Sequence, residues 1–174
     1  TVTSLIAMAA HIEGKGCATL NQTGLAQKFG AVVSHVRVAT TQQEINAVRI
    51  PAGEADLFIG CDLVVSTGDE AMGKVAHGRT HALVNDHQQP TADFIRDPDA
   101  NFPAASMREK ISLEVGDHLE FVHATDIALQ LTGNAIGTNL FLLGLAWQRG
   151  WVPVSRQALD RAIELNAVAV DFNK

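Results

Sequence analysis

The 174-residue sequence is poor in the groups from which most redox and metal sites are built. It has two cysteines, Cys17 and Cys61, in apolar surroundings, and they form no CxxC pair. That usage fits a reducing compartment and argues against a zinc or iron–sulfur site within the chain. Positive charge is scarce as well: 13 Lys and Arg stand against 19 Asp and Glu, a net charge of −6, with no basic cluster. Nucleic-acid and membrane-surface binding are therefore not expected. No signal peptide and no span of about 20 apolar residues is found, so a cytoplasmic protein is expected. There is no GxSxG nucleophile elbow. The seven histidines do not form a ligand set. His77 and His81 are separated by Gly78, and His118 and His123 flank a strand from opposite ends. No internal repeat or low-complexity segment is visible.

What is present suits a globular α/β protein: 47% of residues are hydrophobic and 18% charged. Short β-branched runs alternate with helical stretches. This predicts a doubly wound, mostly parallel, Rossmann-like sheet with a C-terminal helical segment, organised as one domain over residues 1–174. Thr3–Ile12 reads as a helix ending at Gly14. Cys17–Leu20, Ser34–Val38 after the apolar run Ala31–Val33, Ala47–Ile50, Leu63–Ser66, His81–Asn85 and Leu119–Val122 read as strands, while Glu54–Cys61 fits either a helical turn or a strand. Gly68–Val75 reads as a short helix. Met107–Val115 reads as a helix with Ser106 as N-cap and Glu109 completing a capping box. Asp126–Leu131, Ala135–Arg149 and Arg156–Leu165 read as further helices, the last capped by Ser155. The Pro90–Pro103 excursion exceeds an ordinary loop of about 2–6 residues. Gly133–Asn139 reads as a cap with close helix packing, or as a backbone-lined anion site at a helix start.

The least ordinary stretch is Gln22–Ala39, QTGLAQKFGAVVSHVRVA. Gly24 and Gly30 bracket a polar turn carrying Lys28. Beyond it Ser34, His35 and Arg37 interleave with valines. His35 and Arg37 fall on one strand face and Ser34 on the other. An edge strand with solvated charges would give this pattern, and so would a polar face meeting a ligand or a partner. Ligands of doubly wound sheets bind outside the carboxyl ends of the strands, where Ser66, Thr67, Asn85 and Asp86 are expected.

GKGCATLNQTGLAQKFGAVVSHVRVA, residues 14–39, resembles the γ domain of the 2-oxoacid:ferredoxin oxidoreductases, with most similarity to the fused bacterial indolepyruvate (arylpyruvate) enzymes. The family pattern there is roughly GKGxxxLDxTGLAQKGGAVxSHVRI. This chain departs from it at Asn21, where Asp is usual, and at Phe29, where Gly is usual. The resemblance continues through GEADLFIGCDLVVS and HALVNDHQQPTADFIRDPD into the helical end. It implies a γ domain that packs against other domains or subunits of one oxidoreductase. Thiamine diphosphate and the iron–sulfur clusters would lie on those other domains, and ferredoxin would be met by the holoenzyme. Coenzyme A is implied as co-substrate, and a homodimer is compatible with it. A GxGGxG-like turn would precede Thr1, so the chain is expected to be a fragment lacking its first strand and that glycine-rich turn. The expected nucleotide-side residues are Gly24, Lys28, Gly30, Ser34, His35, Arg37, Thr67 and Asn85, and no catalytic residue is expected in this chain. Two other readings stand beside this one. A free-standing dinucleotide-binding protein would need GxGxxG and an acidic residue where Asn21 ends its strand. A structural assembly domain would use the 22–39 face for docking alone.

Overall fold

A computed structural model describes residues 2–23, 32–88 and 102–173. The chain divides into two compact units, residues 1–51 with 139–174, and residues 52–138.

The first unit opens with helix α1 (Val2–Ile12). Its buried stripe is Leu5, Ile6, Ala9 and Ala10, the spacing of one face at 3.6 residues per turn. The helix stops at Gly14, whose φ of +70° suits a residue without a Cβ. Gly14 N–H bonds His11 O at 2.9 Å and Lys15 N–H bonds Ala10 O at 2.9 Å, the paired bonds of a Schellman ending. Strands β1 (Gly16–Thr23) and β2 (Val32–Ala39) then pair antiparallel, with Asn21 opposite Ser34, Leu20 opposite His35 and Ala18 opposite Arg37. This pair is a separate two-stranded ribbon, where a place in the parallel sheet was expected for β2. After a 3-10 turn (Gln42–Glu44), residues 45–51 run without helix or strand, so the strand expected at Ala47–Ile50 is not formed.

The chain returns to this unit in α6 (Thr138–Gln148), which begins at the boundary between the two units. Leu142, Leu143 and Ala146 are its buried apolar positions. Ser155 caps α7 (Arg156–Asn166) by accepting the Ala158 N–H at 3.2 Å, as its sequence predicts. α7 buries Ala158, Leu159, Ala162 and Ile163, and it packs against α1. Alanines recur in both stripes, and small side chains let two helix backbones approach closely. A short helix, α8 (Val170–Asn173), follows.

The second unit holds a parallel sheet of β3 (Leu57–Gly60), β4 (His81–Asn85) and β5 (Leu119–Val122), in that order. Phe58, Ala82 and Leu119 are in register, as are Val84 and Phe121. These residues pack with Leu63, Met72, Val75, Met107, Ile111 and Val115 in one core. The α/β class with a parallel sheet and C-terminal helices thus agrees with the sequence reading.

The details that differ have local causes. Leu63–Ser66 is a helical turn, α2, and not a strand. Asp62 bounds this β-branched run as an N-cap, its carboxylate accepting the Val65 N–H at 2.8 Å. Ser66 and Thr67 hydroxyls then donate to Asp62 O and Val64 O at 2.6 and 2.8 Å, closing the turn. The neighbouring LFIG segment supplies the strand instead. Asp69–Met72 is the short helix α3. α4 (Ala104–Val115) begins earlier than its pattern suggests, with Pro103 as N-cap; Ser106 Oγ donates to Pro103 O at 3.0 Å and makes no capping box. α5 (Ala124–Thr132) ends on left-handed Gly133. Asn134 then accepts the Ile136 N–H at 2.9 Å and starts a 3-10 turn (Ala135–Gly137), which separates this stretch from α6. The capping reading of Gly133–Asn139 therefore describes its geometry. Most of the Pro90–Pro103 excursion lies outside the described residues.

A charged knot ties the ends of the first unit together. Glu13 accepts the Ser155 N–H at 2.7 Å and pairs with Lys15 Nζ at 2.7 Å, and Lys15 also donates to Pro153 O at 2.5 Å. The Lys15 bond first, and then the Ser155 bonds, lower the Glu13 carboxyl from 4.5 to about 2. A carboxyl depressed on folding stabilises the fold above its unfolded value, and that stabilisation is lost as pH falls through the folded value. Glu13→Gln should cost about 1 kcal/mol at pH 7 by urea unfolding. The gap between variant and wild type should close as pH falls from 4.5 towards 2.

Candidate functional site

The carboxyl edge of the parallel sheet gathers polar side chains from three successive strand ends. Gly60 closes β3, and a Cβ there would lie 2.3 Å from Ser66 Oγ, so glycine lets the α2 turn press against the strand. At the end of β4, Asn85 is 4% exposed. Its amide donates to Cys61 O at 3.1 Å and to Thr125 Oγ1 at 2.9 Å, and its carbonyl accepts the Thr125 N–H at 3.3 Å. Thr138 Oγ1 extends this network to Thr125 and to Ala135 O, at 3.3 and 2.7 Å. Asn85 thereby fixes the start of α5 against the turn that follows β3.

Asp86 comes next and is also buried. Its backbone N–H continues the ladder to Val122 O at 2.8 Å. Arg108 Nε, from α4, donates to Asp86 Oδ1 at 2.6 Å, and His123 Nε2 lies 4.0 Å from Oδ2. One residue on, His87 Nδ1 sits 3.3 Å from Asp126 Oδ1 in the first turn of α5. At this edge the more buried carboxylate, Asp86, has an arginine partner, and Asp126 has the His87 ring.

The expected site residues have these positions. Asn85 is at a strand end as anticipated, with its amide occupied by the network above. Thr67 is not at a strand end: it is the C-cap of α2, its hydroxyl committed to Val64 O. In the first unit, Ser34 is exposed and donates to Asn21 Oδ1 at 2.7 Å across the ribbon. His35 is buried and accepts the Ile50 N–H through Nδ1 at 3.2 Å. Arg37, on the same face as His35, is half-buried. Gly24, Lys28 and Gly30 lie outside the described residues. Arg108 and His123 were not anticipated. Arg108 is carried on a separate helix, and nothing in its local sequence marks its carboxylate partner. For His123 the available signal was its place directly after a strand.

Neither thiol is poised for chemistry. Burial raises Cys61 to about 11, helped by the Asp62 charge, and burial raises Cys17 as well. Both stay protonated near neutrality, and a protonated thiol is a poor nucleophile and ligand. An iron–sulfur cluster takes about four thiolates, and this sequence has two cysteines, in different units. Among the described residues no group of three or more His, Cys, Asp and Glu side chains is arranged to hold a metal ion. The donor set therefore does not fit an iron–sulfur cluster. Among the described residues no helix is long and apolar enough to cross a membrane.

Comparison with known proteins bears on the family and the fold. An indolepyruvate oxidoreductase subunit IorB of Pyrococcus horikoshii is 27% identical over 155 residues, covering 86% of this chain and 72% of the relative. The subunit of the same name from Archaeoglobus fulgidus is 25% identical over 181 residues, covering 99% and 83%. Among solved structures, pyruvate oxidoreductase subunit PORC of Thermotoga maritima superposes with a TM-score of 0.61 at 21% identity, covering 99% of this chain and 82% of that one. The γ subunit of a keto/oxoacid ferredoxin oxidoreductase from Geobacter sulfurreducens gives a TM-score of 0.60 at 18% identity, with the same coverage. These structures share the fold. The profile of the pyruvate ferredoxin/flavodoxin oxidoreductase family matches residues 1–173, and the chain belongs to that family.

Proposed function

We propose that the chain is the γ component of a 2-oxoacid ferredoxin oxidoreductase that acts on an arylpyruvate of the indolepyruvate kind. The whole enzyme would convert the arylpyruvate and coenzyme A to an arylacetyl-CoA and carbon dioxide, and pass two electrons to ferredoxin. The observation that carries this reading is the family match over residues 1–173, together with relatives named as indolepyruvate oxidoreductase subunits. Thiamine diphosphate, bound on another component, supplies the stabilisation of negative charge that decarboxylation of a 2-oxoacid needs. The electron-carrying clusters belong to other components too, consistent with the two protonated thiols here.

This chain's own part is to hold the coenzyme A side and to meet its partner subunits. Lys28 and Arg37 match nucleotide phosphates, lysine as a point charge and arginine in bidentate fashion. Gly24 and Gly30 let backbone approach a ligand closely. Ser34 and His35 shape the ribbon that carries Arg37, while Thr67 and Asn85 hold the turns of the sheet's carboxyl edge. The buried Asp86–Arg108 pair keeps that edge in one geometry, as preorganised sites require.

The decisive experiment is a substrate profile of the complete enzyme by viologen reduction. Indolepyruvate or phenylpyruvate should exceed pyruvate in kcat/KM by about tenfold or more, a difference of about 1.4 kcal/mol in transition-state binding. A preference for pyruvate would sink the arylpyruvate assignment. The 174-residue chain alone, given thiamine diphosphate and coenzyme A, should show no dye reduction. In the complete enzyme, Arg37→Ala and Lys28→Ala should each raise the KM for coenzyme A by about tenfold, the scale of one charge-assisted hydrogen bond, without changing the thermal midpoint of this component. An unchanged KM in both variants would move the coenzyme A role elsewhere.

A further inference from the structure

His35 is the most deeply buried ionisable side chain among the described residues, at 1% exposure. Its Nδ1 lies 3.2 Å from the backbone nitrogen of Ile50. A backbone N–H can only donate, so Nδ1 must carry a lone pair and the ring proton must sit on Nε2. The contact therefore exists for one tautomer of the neutral ring. In the cation both nitrogens bear protons, and the Ile50 N–H would face another N–H.

The position of Ile50 gives this bond its reach. Residues 45–51 form a strap without helix or strand, and the first segment of the first unit ends at Pro51. The strap begins beside a tight contact with the ribbon. Gln42 Oε1 accepts the Cys17 N–H at 3.0 Å, and a Cβ on Gly16 would lie 2.3 Å from Thr41 O. At the far end of the strap, His35 holds Ile50.

The described elements next to His35 carry several ionisable residues. Arg37 shares its strand face and Arg49 adjoins Ile50. The paired strand β1 carries Cys17, whose thiol burial raises, on the ribbon face opposite to His35. Helix α1, which packs on both strands, carries His11, which is exposed. On the 3-10 turn, Glu44 accepts a hydrogen bond from Thr41 Oγ1 at 2.9 Å.

We propose that His35 is a pH-sensitive latch, fastening the 45–51 strap to the β1–β2 ribbon as a neutral, Nε2-protonated imidazole and releasing it on protonation. The inference does not depend on the oxidoreductase reading, because it uses a buried ring and one hydrogen bond. Its sign is fixed by the bond: the latch is closed at alkaline pH and opens as pH falls through the titration of His35.

The test is amide hydrogen exchange at Ile50 in the whole protein, followed between pH 8 and pH 5 and corrected for the intrinsic exchange rate. Wild-type protection at Ile50 should drop by about tenfold or more on acidification, as a local opening. His35→Asn places a carboxamide oxygen near the position of Nδ1, an acceptor that does not titrate. In that variant the protection should persist at both pH values. Wild-type protection that ignores pH overturns the proposal, and so does an equal fall in His35→Asn. If His35→Asn does not fold, the ring itself decides by nitrogen-detected NMR of the wild type. At pH 8 its Nδ1 should be unprotonated, and a protonated Nδ1 there overturns the latch.

Discussion

The second unit depends on one buried carboxamide. Asn85 ends a strand whose preceding residues are fully enclosed, and its side chain has hydrogen-bonding capacity on both oxygen and nitrogen. That capacity is spent on Cys61 O, Thr125 Oγ1 and the Thr125 N–H. Three segments distant in sequence are thus held at one point: the turn after β3, the end of β4 and the start of α5. An apolar side chain there would leave the Thr125 N–H and the Cys61 carbonyl without these partners in a buried place, which costs about 1–3 kcal/mol for each group. The carboxyl edge is rigid because its polar atoms answer one another.

The first unit solves a different problem. A two-stranded ribbon is marginal by itself and needs cover. α1 packs on both strands and also against α7, and the alanines of the two helices allow close approach. The joint between the helix ends is made polar by Glu13, Lys15 and Ser155. Ribbon, helix pair and charged knot therefore depend on the short loop Glu13–Lys15, in which Gly14 must reverse the chain.

Much of this was legible in the sequence where a pattern and its physical cause are local. Ser155 before a helical run, Gly14 after one, and the enclosed run HALVN each read correctly, because a cap, a left-handed turn and a buried strand leave marks within a few residues. The run LVVS misled, because β-branched residues at Leu63–Ser66 weigh towards a strand while the carboxylate of Asp62 decides for a turn. Ala47–Ile50 misled too: Ala47 and Val48 are exposed, and the segment is tied to the ribbon through the Ile50 N–H without strand pairing. Ser34, His35 and Arg37 were recognisable as unusual from alternation alone. What the sequence did not carry was their partners. Asn21 for Ser34 follows from the hairpin register, Ile50 for His35 from the path of the strap, and Arg108 for Asp86 from the packing of α4 on the sheet.

That pattern of partners says how the fold is held. A site that performs chemistry holds a group away from its resting state, as a lowered thiol or a carboxyl kept neutral. Here the shifts run the other way. Burial keeps the two thiols protonated, and the strongly lowered carboxyl, Glu13, belongs to a helix joint. Asp86 is answered by Arg108, and Asn85 by backbone and hydroxyl groups. The polar residues named here hold the shape of the fold: Asn85 and Thr125 join three segments, Arg108 fixes Asp86, and Glu13 joins two helix ends. A chain of this oxidoreductase family thus keeps its sheet edge and its helix joint in place by answering each buried polar atom within its own unit.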